Sequence, residues 1–417
     1  MLSMSPVSRS VDRALRISIV DGVLFALMLG VSESYFGACA VALGHGDTAL
    51  ALLATLPLFA GSLAQAFTSP LVLCFGSRKR LVAAGALVQA LSHLGLLTIA
   101  LFALPSFWLL LGLIVLYYVS GMIIQPAWGA WMGELTERRD RERFFALRST
   151  CMSVSTLSAF LWAGYQLRNG AANHDLSHTY AWLFGIGFVA RFASSVLLYR
   201  QPDPLPMRRD SFRRVLARTR SAVRGDGFRT ALVLGVWMLG AHISIPFYAP
   251  YMLKTLSLGY DGFALVCAVQ LMSKAAAFPF MRWVAQRLGL YRMMAVSMGG
   301  AAVVALLWGM AQSVTGLFFA QILSGVTWAA YEFSSFQVLL QRARPKQRVE
   351  FLAMASSFGG LMQLSGALFG SFLLARGGLH YRDVFMVSAL ARALPLLAFM
   401  PLSLVKRPLA AARERVS

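Results

Sequence analysis

Residues 200–229 form the longest interval of this sequence that no membrane-length apolar run enters. The interval carries Arg200, Arg208, Arg209, Arg213, Arg214, Arg218, Arg220, Arg224 and Arg229 against Asp203, Asp210 and Asp226. Six apolar runs precede it, at 19–43, 48–74, 80–104, 107–133, 144–167 and 178–199. Six follow, at 230–253, 262–286, 290–312, 314–340, 350–375 and 383–405. A helix needs about 20 apolar residues to cross the hydrocarbon of a bilayer. Every run is long enough, and none alternates polar with apolar residues as a barrel strand would. The expected fold class is an all-α membrane protein of twelve transmembrane helices in two six-helix halves. The expected divisions are 1–200, a cytoplasmic basic amphipathic linker at 201–229, and 230–417.

Composition agrees with lipid as the main solvent. The chain is 58% hydrophobic and 13% charged, where a soluble domain is about a quarter charged. Cys39, Cys74, Cys151 and Cys267 all fall inside apolar runs, so neither a disulfide framework nor a metal spacing is read from them. Arg9, Arg13 and Arg16 before the first run, with Ala38-Cys39-Ala40 in it, faintly suggest a cleaved signal. The run is too long for a signal core, and Glu33 interrupts it.

Charge placement sets the expected orientation. With the N-terminus cytoplasmic, 31 of the 38 Lys and Arg fall in segments on that side, and Arg168, Lys254, Arg376 and Arg382 fall on the other. Both termini are therefore expected inside. The net charge of +21 reads as topology plus contact with anionic lipid, not as a nucleic-acid surface. Phe212, Val215, Leu216 and Val223 share roughly one helical face among arginines, which predicts an amphipathic helix lying on the inner leaflet; a solvated linker is the other reading. The outer loops are short, leaving no room for an extracellular domain.

The halves repeat. Ser120-Gly121 in the fourth run matches Ser324-Gly325 in the tenth, and each is followed by a basic cluster. Gly76 with Arg78–Arg80 matches Gly289 with Arg292. Parallel six-helix repeats joined by a cytoplasmic linker are the layout of a rocking transporter.

On these features the chain resembles the major facilitator superfamily, over essentially its whole length as pattern. That family's signature between spans two and three is Gly-x-x-x-Asp-Arg-x-Gly-Arg-Arg. Here Ser69 stands at the first glycine and Leu73 at the acidic position, while Gly76, Arg78, Lys79 and Arg80 remain. The second half has Gly289, with Gln286 at the acidic position. Sugar, nitrate and peptide signatures are absent, as is the antiporters' glycine-proline motif in span five. The resemblance implies the class and leaves the substrate open.

The family arrangement places spans one, four, seven and ten around a central cavity, with two, five, eight and eleven beside it. Ionised side chains in hydrocarbon are expensive, and those that persist usually face a cavity or a partner. Glu33 sits in span one, with Gly30 and Gly37 near it on one face. Glu332 lies on a span-ten stripe with Gln321, Gly325, Trp328 and Ser335. Both acids are candidates for substrate or proton binding, because a carboxyl in a low-dielectric site takes up protons more readily; an interspan hydrogen bond is the competing reading. Lys274 either binds an anion or neutralises one of these acids. Gln125, Trp128, Trp328, His242, Tyr248 and Gln270 complete the candidate substrate and proton site. Arg191 and Arg392 fall in spans six and twelve, which the family places at the periphery. Asp21, Gly76, Arg78, Glu134 and Arg138 form a candidate cytoplasmic gate, Asp21 and Glu134 pairing with neighbouring cations; solvated helix ends are the alternative.

The expected function is a secondary transporter of a small organic solute, driven by protons, in the cell inner membrane as a monomer. No nucleotide motif, cofactor site or metal site is read, and no catalytic cluster that would make it an enzyme. The alternative is a non-transporting sensor or assembly protein on the same fold, whose basic linker docks a cytoplasmic partner.

Overall fold

The protein's computed structural model describes residues 6–136, 138–173, 175–202, 211–258, 260–311, 313–375 and 378–404. Among them no strand occurs. In the first half, span 1 runs through Pro6–Val31, a 3-10 turn at Glu33–Tyr35 and Phe36–Ala42. Span 2 is Asp47–Gln65 followed by Thr68–Phe75. Spans 3 to 6 are Arg78–Leu101, Phe107–Leu135, Arg138–Ala172 and Leu176–Arg200. A linker helix, Phe212–Arg224, follows.

The second half repeats this plan. Span 7 is Asp226–His242 followed by short turns to Thr255. Span 8 is Tyr260–Ala277, a turn at Phe278–Phe280 and Met281–Leu288. Spans 9 to 12 are Leu290–Met310, Val314–Arg342, Arg348–Ala375 and Tyr381–Leu404. Among the described residues, nine helices are individually long and apolar enough to cross a membrane, and a tenth is the span 2 pair, bent by 64°. Spans 8 and 12 are placed by packing, span 8 against span 10 and span 12 against spans 9 and 7.

The expected uninterrupted runs give way to broken helices at matching places. Spans 1 and 7 break after Val31 and His242; spans 2 and 8 break after Gln65 and Ala277. Pro246, Pro250 and Pro279 lie in the breaks of spans 7 and 8, where each removes a backbone donor. In span 2, Thr68 Oγ1 donates to the orphaned Gln65 carbonyl at 2.8 Å. Gly76 and Gly289 end spans 2 and 8 at φ +64° and +79°, which is why both turns carry glycine.

Packing repeats pair by pair. Spans 3 with 6, 1 with 5, 3 with 4, 2 with 4 and 1 with 6 correspond to 9 with 12, 7 with 11, 9 with 10, 8 with 10 and 7 with 12. The halves meet through span 2 on span 11 and span 8 on span 5. One apolar core runs across both halves at the end of the bundle that holds the linker helix, joining Trp131 and Phe145 to Trp237, Leu340 and Phe351. At the opposite end the core divides by half, with one cluster around Phe36 and Ile114 and a smaller one around Val31 and Ala163 in the first half, and another around Tyr251 and Trp308 in the second. The bundle is thus closed at its basic end and parted at the other.

The linker helix departs from the expected single lipid-facing stripe. Ser211 caps it by accepting from the Arg214 N–H. Val215 and Ala222 are buried, Arg218 Nε lies 3.2 Å from Glu350 Oε1 at the start of span 11, and Gln347 donates to Ser221. Phe212 and Leu216 remain exposed. Residues 203–210, and the C-terminal basic residues after 404, lie outside the described residues.

Candidate functional site

The break in span 1 creates the site. A helix that ends at Val31 and resumes at Phe36 turns Glu33 toward span 4 instead of along a continuous face. Tyr117 donates to Glu33 Oε2, and Tyr118 donates to Oε1 at 3.1 Å. Immediately before Glu33, Ser32 Oγ lies 2.6 Å from His93 Nε2, while His93 Nδ1 lies 2.8 Å from the Gln89 carbonyl. A carbonyl only accepts, so Nδ1 donates to it; the Ser32 hydroxyl itself donates to the Met28 carbonyl at 3.2 Å.

Below Glu33, a cavity of about 410 Å³ opens within the first half, lined by Asp21, Glu33, Gln89, Gln125, Arg148 and Arg191 among others. Arg191 is 4% exposed. Its Nε and Nη2 donate to Gln89 Oε1 at 2.9 and 2.5 Å, and Nη1 donates to Ser194 at 2.8 Å. Ser194 passes the contact on to Asp21 at 2.6 Å. Arg148 Nη2 stands 3.5 Å from the other oxygen of Asp21. The guanidinium of Arg148 lies 4.1 Å from the Trp128 ring centre, a cation–π contact that leaves its edge free for in-plane donors. Two of those donors go to the Ser18 carbonyl and the Met152 sulfur. Gln125 accepts from Gln65 at 3.2 Å.

The cavity therefore gathers Glu33, Gln125 and Trp128, together with Asp21, which the sequence reading had set at a gate. Arg191, expected at the periphery, is buried inside: span 6 packs on spans 1 and 3, so its inward face is protein. Arg392 is likewise interior, 1% exposed, and donates to the carbonyls of Ala301 and Ala241 and to Ser244 and Tyr248. Tyr248 is stacked on Trp308 at 4.3 Å and belongs to this second cluster. His242 is bonded to the Met238 carbonyl beside it.

The remaining candidates lie elsewhere in the second half. Lys274 donates to Glu332 at 2.6 Å, so the lysine neutralises that acid. Trp328 packs on Trp237 and Tyr331. The backbone of Gln270, one turn before Lys274, lies against Gly325. At the basic end, Arg78 pairs with Glu134 at 2.8 Å, next to the turn at Gly76. The side chain of Arg138 lies outside the described residues. Arg348 of span 11 donates to the Gly133 carbonyl of span 4 at 3.2 Å, a polar tie between the halves.

Tyr117, Tyr118 and Gln89 were missed as site residues, and Arg148 was expected only within the Arg138–Arg148 cluster as a partner for Asp21 or Glu134. Two adjacent tyrosines in an apolar run have no period of their own, and Arg148 reads as one of a basic loop cluster. A larger apolar groove of about 680 Å³ between spans 1, 3 and 6 is lined by Leu24, Leu97 and Trp182; it offers no charged group for solute chemistry beyond His178.

The family model of the Major Facilitator Superfamily matches residues 22–262 and again 230–415. No curated protein matches this sequence closely enough to count as a relative. Among solved structures, the chain is similar to the human organic anion transporter MFSD10, at 15% identity over 95% of this chain and 100% of that one, with a TM-score of 0.72. It is similar to a bacterial homologue of the iron transporter ferroportin in its outward-facing state, at 14% identity over 94% and 99%, with a TM-score of 0.73. It is also similar to the E. coli fucose:proton symporter FucP, at 15% identity over 95% and 100%, with a TM-score of 0.74. At such identities the likeness speaks for the fold. With a family model covering nearly the whole chain and two halves that match in packing, the chain belongs to the major facilitator superfamily.

Proposed function

We propose that this protein is a secondary transporter that moves a small organic solute by alternating access, with protons carried through Glu33. The observation that carries this reading is the Glu33 carboxyl, set in a broken span, bonded by Tyr117 and Tyr118, and facing a cavity that also holds two arginines. A carboxyl at a helix break changes partners with small backbone movements, which suits a group that must load and release a proton as the halves rock. Asp21 is tied by Arg148 and Ser194, and Glu332 by Lys274, so of these three acids Glu33 is the one whose hydrogen bonds come from neutral groups.

Taking the basic end as cytoplasmic, a core continuous at that end and divided at the other describes an outward-open state. Arg78–Glu134 and the Arg348–Gly133 contact then act as inner-gate ties. The protein is placed in the cell inner membrane, working as a monomer. The printed substrates of the similar structures differ from one another, which supports transport as a class and leaves the solute to the site's own chemistry.

The test uses purified protein in liposomes with a pH dye inside, challenged with organic anions, cations and neutral solutes. At least one solute should move protons with wild type and none with Glu33→Gln. Solute-driven proton movement that survives in Glu33→Gln sinks the assignment of Glu33, and no response to any solute sinks the transport reading.

A further inference from the structure

The apolar groove between spans 1, 3 and 6 lies behind the site, on the other face of the same helices. Along span 6, His178, Trp182, Gly185, Val189 and Ala193 line it at spacings of three or four residues, so they form one stripe. Arg191 and Leu198, on the opposite face of that helix, line the cavity instead. Span 1 divides in the same way: Asp21, Phe25 and Leu29 face the cavity, and Leu24 and Leu27 face the groove. One helix therefore separates the groove from Asp21. At Gly187 a Cβ would come within 2.8 Å of His93 Cδ2 and 3.0 Å of Ser32 Oγ, so spans 6, 3 and 1 touch there and close the groove's floor.

The groove opens on the outer wall of the bundle, where Trp182 and Val189 are exposed, and the solvent at that wall is hydrocarbon. An apolar cavity excludes water and takes up apolar molecules. From His178 to Ala193 the helix Leu176–Arg200 rises about 22 Å at about 1.5 Å per residue, more than half of the roughly 30 Å hydrocarbon layer. A melted chain confined to one leaflet falls short of that length, and an extended acyl chain matches it. The polar atoms of the lining gather at the parted end of the bundle, where His178 and Trp182 stand one turn apart. The Trp182 N–H is a donor suited to a phosphate oxygen. The Asp175 carboxylate, 2.5 Å from His178 Nδ1, attracts an ammonium group and repels a second anion. We propose that the groove binds one zwitterionic phospholipid of the leaflet at the parted end, its extended chain lying along span 6 and bracing the half of span 1 that carries Asp21.

The bracing follows from packing. The inner half of span 1 stops at Val31, and Leu24 and Leu27 form its back. A chain in the groove gives those side chains partner atoms, which an empty groove withholds. The half-helix then opens less often to amide exchange. Gly185 makes room for the chain. A Cβ there would come within 3.2 Å of Leu97 Cδ1, the end of a flexible side chain, so a larger residue at 185 extends into the groove. The groove holds its lipid whatever solute crosses the cavity.

The test uses the full chain purified in dodecyl maltoside and a phosphatidylcholine with a diazirine at the end of one acyl chain, followed by peptide mapping. Photolabelling should saturate, fall on 24–27 and 189–193, and be displaced by unlabelled phosphatidylcholine. Gly185→Phe and Ala193→Phe, which fill the groove at its middle and its deep end, should each lose most of the labelling. Leu390→Phe, at an exposed position of span 12, should keep it. Amide exchange in 22–31 should quicken in wild type stripped of lipid and slow again when phosphatidylcholine returns. Gly185→Phe, whose own ring occupies the groove, should stay slow throughout. Wild-type exchange in spans 9 and 12 shows that a variant is folded, and if one Phe variant fails that check the other decides. Labelling spread evenly over the exposed apolar faces of both halves overturns the site, as does groove labelling that phosphatidylcholine does not displace or that the folded Phe variants keep. Displacement by palmitate or phosphatidylglycerol as readily as by phosphatidylcholine overturns the zwitterionic phospholipid. Exchange that quickens equally in every span overturns the bracing of span 1.

Discussion

Lys274 Nζ on span 8 lies 2.6 Å from Glu332 Oε1 on span 10, so the acid of the second half is neutralised within that half. The side chains are 24% and 44% exposed, and pairs this open are worth about 0–1 kcal/mol. Lys274→Met and Glu332→Gln should each lower stability in detergent by no more than about 1 kcal/mol, with the double variant close to either single one. A loss of several kcal/mol in one single variant, recovered in the double, would show the pair to be sealed from water.

The two turn glycines should differ in what they tolerate. Gly76 has φ +64° and ψ 2°, within the left-handed helical region, where alanine costs about 1 kcal/mol. Gly289 has φ +79° and ψ 149°, near the region that only glycine occupies, where strain reaches about 1–3 kcal/mol. A Cβ meets no neighbour at either site, so backbone strain alone separates them. Thermal unfolding of Gly76→Ala and Gly289→Ala should show the larger drop for Gly289→Ala; equal drops would refute this.

Closure at the basic end can be locked. A Cβ at Gly133 of span 4 would run into the Leu340 side chain of span 10. With Cys39, Cys74, Cys151 and Cys267 replaced, Gly133→Cys with Leu340→Cys should cross-link on oxidation and stop transport, and reduction should restore it. Transport that continues in the fully cross-linked protein would mean that this contact does not open during the cycle.

The linker helix should loosen by itself. Arg218→Gln removes the contact to Glu350 at 3.2 Å and the donation to the Lys346 carbonyl. Amide hydrogen exchange should quicken in 212–224 and stay unchanged in the spans. Faster exchange throughout the second half would make the linker part of the bundle's core stability.

Much of the architecture could be read from residue order. Hydrophobic run length marks a crossing helix without knowledge of its neighbours, because the bilayer imposes one thickness on every span. The same one-dimensional logic let Gly76 and Gly289 be matched as turns, and let Glu33, Lys274, Glu332, Arg191 and Arg392 be singled out as charges that need a reason to lie in hydrocarbon.

Partner choice was not legible in that way. Lys274 had two acids to choose from, and only the packing of span 8 on span 10 assigns it to Glu332. Arg191 lies on a peripheral span, yet it faces inward, because which side of a helix is buried depends on how span 6 sits on spans 1 and 3. The break at Ser32–Tyr35 has no proline to announce it, and it is this break that brings Glu33 to Tyr117 and Tyr118. Sequence by itself determined the class, the helical fold and the groups able to carry charge, since these follow from local composition against a fixed bilayer. The tertiary structure alone decided which of those groups share a cavity, because side chains more than eighty positions apart meet only after the helices have packed.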